Sequence, residues 1–275
     1  MNNTVVRTLS GLVYGALIFL CLLVNGYLFA ALIIFMMCVM MAEFYKMTMG
    51  ESYKFSRGLA IGAGVILFLL LYFCRAFQMP GKYVALVIIP VLVVMFNSLL
   101  VKDKSEFTKF AYIYTGLLYR AVPMALSNLL AFKDGAFSGL LLLSFLLIVW
   151  CSDIGAYCLG SLLGRKYDKK IAPEISPKKT WVGFWGGYAF AVLAALILHW
   201  THLLDIPVLH CIVLATIMHA AGVAGDLFES MWKRCCGVKD SGTIIPGHGG
   251  MLDRFDDLLF VLPVSAVYLL VFPLI

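Results

Sequence analysis

Nine long apolar runs divide the sequence, and they constrain its fold more than any other feature. The runs lie near 8–24, 27–42, 58–74, 83–101, 110–131, 136–152, 181–200, 207–225 and 257–275. A helix of about 20 apolar residues is long enough to cross the hydrocarbon core of a bilayer. We therefore predict an all-α, polytopic integral membrane protein with about nine transmembrane helices.

The composition supports this prediction and excludes several other classes of protein. Hydrophobic residues make up 63% of the chain and charged residues only 13%, which leaves little sequence for a water-soluble domain. We expect one membrane domain, 1–275, with N-terminal spans in 1–135 and a catalytic half in 136–275. Disordered chains, disulfide-stapled secreted scaffolds and soluble nucleic-acid binders need other compositions, so we expect the bilayer and no nucleic acid as a partner.

Basic residues are distributed unequally between the predicted connections. The N-terminus and the even-numbered loops hold 17 of the 21 Lys and Arg residues, whereas the odd-numbered loops hold three. By the positive-inside rule, the N-terminus is cytoplasmic and the C-terminus lies outside. The two long connections, 153–180 and 226–256, then face the cytoplasm, and any aqueous chemistry is expected there.

The second long connection concentrates charge and glycine. Residues 230–256 read SMWKRCCGVKDSGTIIPGHGGMLDRFD. Lys233, Arg234 and Lys239 supply positive charge for a phosphate. The glycines of the 246–250 turn allow backbone N–H groups to point together at an anion. The alternative is that these basic residues only obey the positive-inside rule.

Carboxylates occur at both ends of this connection. Asp226 ends the eighth run, and Asp253 and Asp256 follow at i, i+3 spacing, which predicts one face of the starting ninth helix. If the connection folds back, Asp226 and Asp253 meet and bind Mg2+, because carboxylate oxygens are ligands that magnesium takes. The alternative is that Asp253, Asp256 and Asp257 cap the ninth helix and that Asp226 is a solvated helix end.

The first long connection offers a second set of polar residues. Asp153 leaves the sixth span, and Ser176 stands in a proline-started turn with Lys178 and Lys179. Lysine point charges beside hydroxyl and amide donors are suited to a polyphosphate. An ordinary positive-inside flank is the alternative for the lysines.

Arg120 is the one basic residue inside a predicted span. Two interpretations stay open for it. It neutralises an intramembrane carboxylate or lipid headgroup, or it forms a purely structural ion pair.

Together these motifs resemble the signature of the phosphatidate cytidylyltransferase family, the CDP-diglyceride synthetases. That signature runs S-x-x-K-R, four residues, K-D, a P-x-H-G-G turn and D-R-x-D. Its fixed positions fall here at Ser230, Lys233, Arg234, Lys239, Asp240, Pro246, His248, Gly249, Gly250, Asp253, Arg254 and Asp256. An upstream family pattern matches at Asp153, Gly155, Ala156, Tyr157 and 176–181.

The resemblance implies a metal-dependent nucleotidyltransferase of phospholipid biosynthesis in the inner (cytoplasmic) membrane, with its active site facing the cytoplasm. CTP and phosphatidic acid would give CDP-diacylglycerol and pyrophosphate. One or two Mg2+ ions are expected, with an additional monovalent cation and a homodimer as further options. The catalytic residues would be Asp226, Asp253, Lys233, Lys239 and Asp256, the three aspartates being metal ligands. The substrate-binding residues would be Ser176, Lys178, Lys179, Arg234, His248, Gly249, Gly250, Arg254 and Asp153.

Two other functions compete with this one. A CTP-dependent polyprenol or lipid kinase of related architecture would transfer the γ-phosphoryl group instead. A membrane transporter should show internal repeats and charges near the middle of its spans. We find no such repeat, and the charges cluster at the cytoplasmic ends of the spans.

Overall fold

The fold is taken from a computed structural model that describes residues 3–102, 104–164 and 169–274, with side chains from residue 8 onward. Arg165 and Lys166, two of the basic residues in the first long connection, lie outside the described residues. Eleven α-helices occupy the described ranges. They are α1 Asn3–Val24, α2 Gly26–Met49, α3 Lys54–Ala76, α4 Ile88–Leu100, α5 Phe110–Gly116, α6 Val122–Ala131, α7 Leu140–Leu163, α8 Trp181–Trp200, α9 Val208–Cys235, α10 Leu252–Phe255 and α11 Leu258–Val271.

Six helical segments of the described chain are long and apolar enough to cross a membrane. They are α2, α3, α7, α8, α9 and Gly81–Leu100, in which a 3-10 turn leads into α4. The first, fifth and ninth predicted runs also coincide with helices. The apolar stretch Thr8–Val24 of α1 and the helix α11 are shorter than the six segments, and the fifth run is interrupted by a π-helical turn at Leu117–Ala121. The prediction of a mostly helical, multi-pass membrane protein is confirmed.

Two short antiparallel hairpins were not predicted. The first pairs β1 (Phe132–Lys133) with β2 (Ala136–Phe137), and the second pairs β3 (Lys170–Ala172) with β4 (Ser176–Thr180). Asp134 and Gly135 turn the first hairpin with φ of 50° and 82°, as an Asp-Gly pair does in tight hairpins. The sixth span therefore begins at Leu140, and its predicted start at 136 was wrong.

The chain divides into two compact units. The first unit contains the residues up to Ser138 together with Asp240–Phe255, and the second contains Gly139–Lys239 and the residues from Asp256 onward. The first unit thus holds α1–α6 and α10, whereas the second holds α7–α9 and α11. The expected organisation as one membrane domain with a boundary at 135/136 stays a prediction.

In the first unit, α2 supplies much of the buried core. Asn25 caps this helix, and its side-chain oxygen accepts hydrogen bonds from the N–H groups of Tyr27 at 3.0 Å and Leu28 at 2.9 Å. Side chains from several turns are fully buried, among them Phe29, Met37, Met40, Met41, Phe44 and Tyr45. Residues Asp240–Phe255, which carry the second part of the signature, belong to this unit, and α10 contacts α2.

In the second unit, glycines allow α7 and α8 to approach closely. A Cβ at Gly186 would lie 2.9 Å from the carbonyl oxygen of Gly155, and one at Gly183 would lie 3.0 Å from that of Ala156. Thr180 caps α8 by accepting a hydrogen bond from the N–H of Gly183 at 3.1 Å. The cap fixes the point where β4 passes into the helix.

Helices α7 and α9 are longer than the apolar runs predicted. Asp153 lies inside α7, and Asp226 and Lys233 lie on α9, so the predicted connections 153–180 and 226–256 began too early. The reason is that hydropathy marks the part of a helix inside the bilayer, whereas helix propensity continues beyond it.

The expected ninth helix also begins differently. Asp253 lies in the four-residue helix α10, the chain turns at Asp256, and Asp257 stands at the cap position of α11. Asp253 and Asp256 therefore do not share one continuous helix, and that prediction was wrong. The turn at Asp256 lies against Gly225 of α9, where the missing Cβ leaves room for the backbone.

Candidate functional site

Three aspartates of the second unit form an acidic cluster, which we call the aspartate trio. Asp226 comes from α9, and Asp256 and Asp257 come from the turn before α11. One carboxylate oxygen of each lies within 4.8 Å of the other two, and all three residues are half-buried. The structure thus brings together two predicted metal ligands, Asp226 and Asp256, and adds Asp257, which the sequence analysis considered only as a cap.

Glycine at two positions of α9 makes this approach feasible. A Cβ at Gly225 would lie 2.7 Å from the carbonyl oxygen of Asp256 and 3.2 Å from the Cα of Asp257. A Cβ at Gly222 would lie 3.6 Å from the Cβ of Asp257, which is ordinary van der Waals contact. The turn therefore depends on the absence of a side chain at Gly225 in particular.

Burial and mutual repulsion raise the pKa of two trio carboxyls well above the ordinary value of 3.8. For Asp256, burial acts most strongly, followed by the charges of Asp257 and Asp226. For Asp257, burial is followed by the charges of Asp153 and Asp226, and the ammonium group of Lys179 opposes them. Without a bound cation, the protonated forms of the Asp256 and Asp257 carboxyls are therefore favoured relative to ordinary aspartates.

The trio fits a hard divalent cation. Magnesium is bound by carboxylate oxygens together with water and substrate phosphates, and three carboxylates close together supply the protein's share of such a shell. A cation would also relieve the repulsion that raises the pKa values of Asp256 and Asp257. The trio therefore has the composition and charge of a magnesium site.

Both oxygens of Asp226 already have partners in the chain. The amino group of Lys179, from β4, lies 2.5 Å from Oδ2, and the hydroxyl of Ser230, one turn further along α9, donates to Oδ1 at 3.2 Å. The structure thus places the predicted phosphate-binding Lys179 beside the predicted metal ligand Asp226. It also assigns a contact to Ser230, the first residue of the signature.

A cavity of about 520 Å³ opens beside these residues in the second unit. Its charged lining residues are Asp153, Lys178, Lys179, Asp226 and Asp257, and its apolar ones include Ile148, Val149, Phe184, Met218 and Val223. In its wall, the Ser152 hydroxyl and His219 Nδ1 are 2.8 Å apart. A cavity whose lining combines charged groups with many apolar side chains suits an amphiphilic molecule.

Three further predicted cations lie in the last turn of α9 or shortly after it, namely Lys233, Arg234 and Lys239. Lys233 pairs with the fully buried Glu229 at 2.9 Å, so part of its charge neutralises a carboxylate of the same helix. Arg234 and Lys239 are exposed, and the Arg234 guanidinium donates to the carbonyl of Val238 at 3.4 Å. Ser176 lies at the start of β4 and is half-buried.

Within the first unit, the signature residues 246–248 form a turn, as predicted. Pro246 and Gly247 occupy its centre, Gly247 has φ of 75°, and the His248 N–H donates to the Ile245 carbonyl at 2.9 Å. The His248 ring nitrogen Nδ1 lies 2.9 Å from the hydroxyl of Ser10 in α1. Arg254 follows in α10 and is exposed.

Of the turn amides predicted to bind an anion, that of Gly250 faces a carboxylate of the chain itself, whereas that of His248 donates to the Ile245 carbonyl. One oxygen of Asp253 accepts the N–H groups of Gly250 at 2.8 Å and Ser241 at 2.9 Å. The next two amides, of Met251 and Leu252, donate to Glu43 of α2. Sequence reasoning missed Glu43, although a carboxylate alone among the apolar residues of α2 is a signal in itself.

Arg120 is fully buried in the π-helical turn of the first unit. Its guanidinium carbon lies 3.5 Å from the ring centre of Phe44 and 4.2 Å from that of Tyr119. Aromatic faces therefore surround this charge, an environment that neither sequence interpretation included.

Comparison with known proteins agrees with the signature. A family model described as the cytidylyltransferase family matches residues 5–272. The phosphatidate cytidylyltransferase of Bacillus subtilis (strain 168) is 34% identical over 269 residues, which is 94% of each chain. That of Staphylococcus epidermidis (strain ATCC 12228 / FDA PCI 1200) is 34% identical over 267 residues, covering 96% of this chain and 98% of the relative. That of Staphylococcus aureus (strain COL) is 32% identical over 268 residues, with the same coverage. The chain belongs to the cytidylyltransferase family.

Proposed function

We propose that the chain transfers CMP from CTP to phosphatidic acid, giving CDP-diacylglycerol and pyrophosphate. The observation that carries this proposal is the cavity of the second unit, whose lining combines two carboxylates of the trio, Asp226 and Asp257, and two lysines with many apolar side chains. Full-length relatives that bear the name phosphatidate cytidylyltransferase support the same assignment.

The chemistry needs charge neutralisation more than a nucleophilic side chain. A phosphate oxygen of phosphatidic acid forms a bond to the α-phosphorus of CTP. The bond from that phosphorus to the β-bridging oxygen breaks, and pyrophosphate leaves with the electron pair. Because a phosphate monoester is largely ionised near neutral pH, no general base is required. The enzyme must chiefly hold two anions together and in line.

Asp226, Asp256 and Asp257 are the residues that would hold Mg2+ at this site. When bound, the metal supplies positive charge to the phosphate oxygens and to the departing pyrophosphate. One or two divalent ions, and an additional monovalent cation, belong to this proposal. The raised pKa values of Asp256 and Asp257, caused by burial and by neighbouring carboxylates, support a bound cation at this place.

The basic residues of β4 would bind phosphate groups. Lys179 neutralises Asp226 and can exchange that partner for a phosphate oxygen within the same cavity. Lys178 lines the cavity beside it, and Ser176 starts the same strand. Lys233, Lys239 and the other signature residues keep the roles that the family resemblance implies: catalysis for the two lysines, and substrate binding for Asp153, Arg234, His248, Gly249, Gly250 and Arg254.

The proposal includes nine membrane crossings, a cytoplasmic N-terminus and an external C-terminus. The unequal distribution of Lys and Arg supports this topology and places the reaction at the cytoplasmic face of the inner membrane. CTP is a cytoplasmic nucleotide and phosphatidic acid a membrane lipid, so this face is where both substrates meet. The homodimer stays a prediction.

Labelled CTP tests the reaction directly. Purified protein in detergent is given phosphatidic acid, Mg2+ and CTP labelled either at the α- or at the γ-phosphate, with and without a chelator. We expect α-label in the lipid, no γ-label, and no product with chelator. Transfer of γ-label alone would identify a lipid kinase instead, and the absence of any labelled lipid would favour transport.

Asp253 has a separate test, because the structure shows it in a different setting from the trio. Asp253→Asn keeps one oxygen to accept the amides of Ser241 and Gly250 but removes the negative charge. If Asp253 is a metal ligand, this variant folds and loses turnover. Near-normal turnover would mean that Asp253 is not a metal ligand and serves only to bind the amides of Ser241 and Gly250.

A further inference from the structure

Glu43 makes an unusual set of contacts for a carboxylate in an apolar helix. Its Oε1 accepts a hydrogen bond from the N–H of Met251 at 3.0 Å, and its Oε2 accepts one from the N–H of Leu252 at 2.8 Å. The hydroxyl of Ser241 lies 3.4 Å from Oε2 as well. One side chain of α2 thus binds both ends of the segment from Ser241 to Leu252, which we call the signature segment.

The segment is shaped to receive this carboxylate. A Cβ at Gly242 would collide with Oε1 of Glu43, and a Cβ at Gly250 would lie 2.8 Å from Oε2 and would also collide with the Ser241 hydroxyl. A side chain at either position would have to displace the Glu43 carboxylate or shift the segment, and either change would break the contact. The two glycines and the carboxylate therefore form one fitted contact.

A second carboxylate closes the same segment. Asp253 accepts the N–H groups of Ser241 and Gly250, so the two ends of the segment are joined both by Asp253 and by Glu43. Carboxylate bonds to backbone N–H groups are charge-assisted and stronger than neutral ones. The conformation of the signature segment is thus fixed by two carboxylates, one from Asp253 directly after the segment and one from Glu43 of α2.

We infer that Glu43 is a positioning residue for cytidylyl transfer. It holds the signature segment in the conformation that presents Asp253, His248 and Arg254, to which the proposed function gives catalytic and substrate-binding roles. The inference rests on that proposed function. The hydrogen bonds of Glu43 go to Ser241, Met251 and Leu252, so its proposed effect on the reaction passes through the segment.

The main test replaces Glu43 with Gln, which keeps the size but has only one acceptor oxygen and no charge. We expect faster hydrogen exchange in 241–252 with unchanged protection in the rest of α2. We also expect kcat per folded enzyme to fall by about 10²-fold, because small displacements of catalytic groups cost that much. Glu43→Asp keeps both oxygens but is shorter, and it should recover part of the lost kcat.

The matched control is Glu51→Gln. Glu51 is an exposed carboxylate just after α2, with its oxygen 2.5 Å from the amino group of Lys54. This variant should match the wild type in both exchange and kcat. Gly242→Ala is an independent variant, because it disturbs the same contact from the segment and leaves the residue at position 43 unchanged. It should reproduce the faster exchange and the lower kcat.

The inference is overturned if folded Glu43→Gln protein keeps wild-type kcat, or if exchange in 241–252 is unchanged. A loss of folded protein with normal kcat in the remainder would show a purely structural role and would overturn it too. If Glu43→Gln does not fold, Gly242→Ala decides by the same criteria. Wild-type protein assayed in parallel with α-labelled CTP separates the two claims. If the wild-type protein transfers no α-label to the lipid, the proposed function is wrong. The hydrogen-exchange data then test only whether Glu43 holds the segment.

Discussion

The amino group of Lys179 lies 2.5 Å from Oδ2 of Asp226, joining the β3–β4 hairpin to α9. Both side chains are partly exposed, at 24% and 34%, so solvent and ligands can reach the pair. Because Asp226 is also a trio member, the lysine competes with any cation that binds there. Nucleotide binding would remove this competition, since a phosphate would draw the lysine away.

Replacing Lys179 with Met is therefore expected to have two effects of opposite sign. The KM for CTP should rise by about tenfold, the loss expected for one charge-assisted hydrogen bond. Metal binding without nucleotide should become tighter, because a positive charge next to the trio has gone. Steady-state kinetics and a Mn2+ titration measure the two effects.

Lys178→Met is the matched control for this pair. Lys178 neighbours Lys179 on β4 and lines the same cavity, but it is more exposed. It should change the KM for CTP without tightening metal binding. Equal effects of the two substitutions on metal affinity would contradict the role given to the Lys179–Asp226 pair.

Gly225→Ala should disrupt the aspartate trio, because the new Cβ would lie 2.7 Å from the carbonyl oxygen of Asp256. Alanine stabilises a helix by roughly 0.5–1 kcal/mol relative to glycine, but displacement of the turn should outweigh this gain. We expect the Mg2+ concentration for half-maximal activity to rise by about tenfold or more.

Gly222→Ala is the comparison, since its Cβ would make only ordinary contact at 3.6 Å. This variant should keep most of its activity and gain thermal stability from the better helix former. If Gly225→Ala were as active as Gly222→Ala at low Mg2+, close packing of the turn against α9 would not matter for the site.

The raised pKa values of Asp256 and Asp257 predict how stability depends on pH. A carboxyl whose pKa is higher in the folded than in the unfolded protein stabilises the fold at low pH. This contribution is lost as pH rises from the ordinary value of 3.8 through the raised values. Bound Mg2+ should offset the loss, because it replaces the protons.

Thermal unfolding with and without Mg2+, from about pH 5 to pH 8, measures this effect. The increase in midpoint caused by Mg2+ should grow as the pH rises. The double variant Asp256→Asn/Asp257→Asn should show little increase at any pH. An increase that is the same at every pH in the wild type would mean that the trio does not exchange protons for metal.

The sequence alone predicts features that depend on local composition. Continuous apolar runs predicted the helical membrane architecture, and the charged helix end identified Asp226. The Asp134-Gly135 pair lies in the connection between the fifth and sixth predicted runs, and an Asp-Gly pair is typical of a tight hairpin, but hydropathy does not report the strand pairing around it. The end of α7 was predicted too early, because the apolar run stops before Asp153 whereas the helix continues to Leu163.

Contacts between distant positions could not be predicted in the same way. Glu43 and Leu252 are 209 positions apart, and no local pattern relates them. The trio depends on Gly225 admitting the turn at Asp256, which is a matter of packing in three dimensions. For the same reason, Asp257 could be interpreted from the sequence only as a helix cap.

Direct metal binding tests the central claim, that the aspartate trio holds the divalent cation. Mn2+ binding to the purified protein is followed by electron paramagnetic resonance for the wild type, Asp226→Asn and Asp257→Asn. Asp205→Asn, at an exposed position between α8 and α9, serves as the control. We predict that the wild type and the control bind Mn2+ equally and that the two trio variants bind at least about tenfold more weakly while remaining folded. Wild-type affinity in both trio variants would contradict the account.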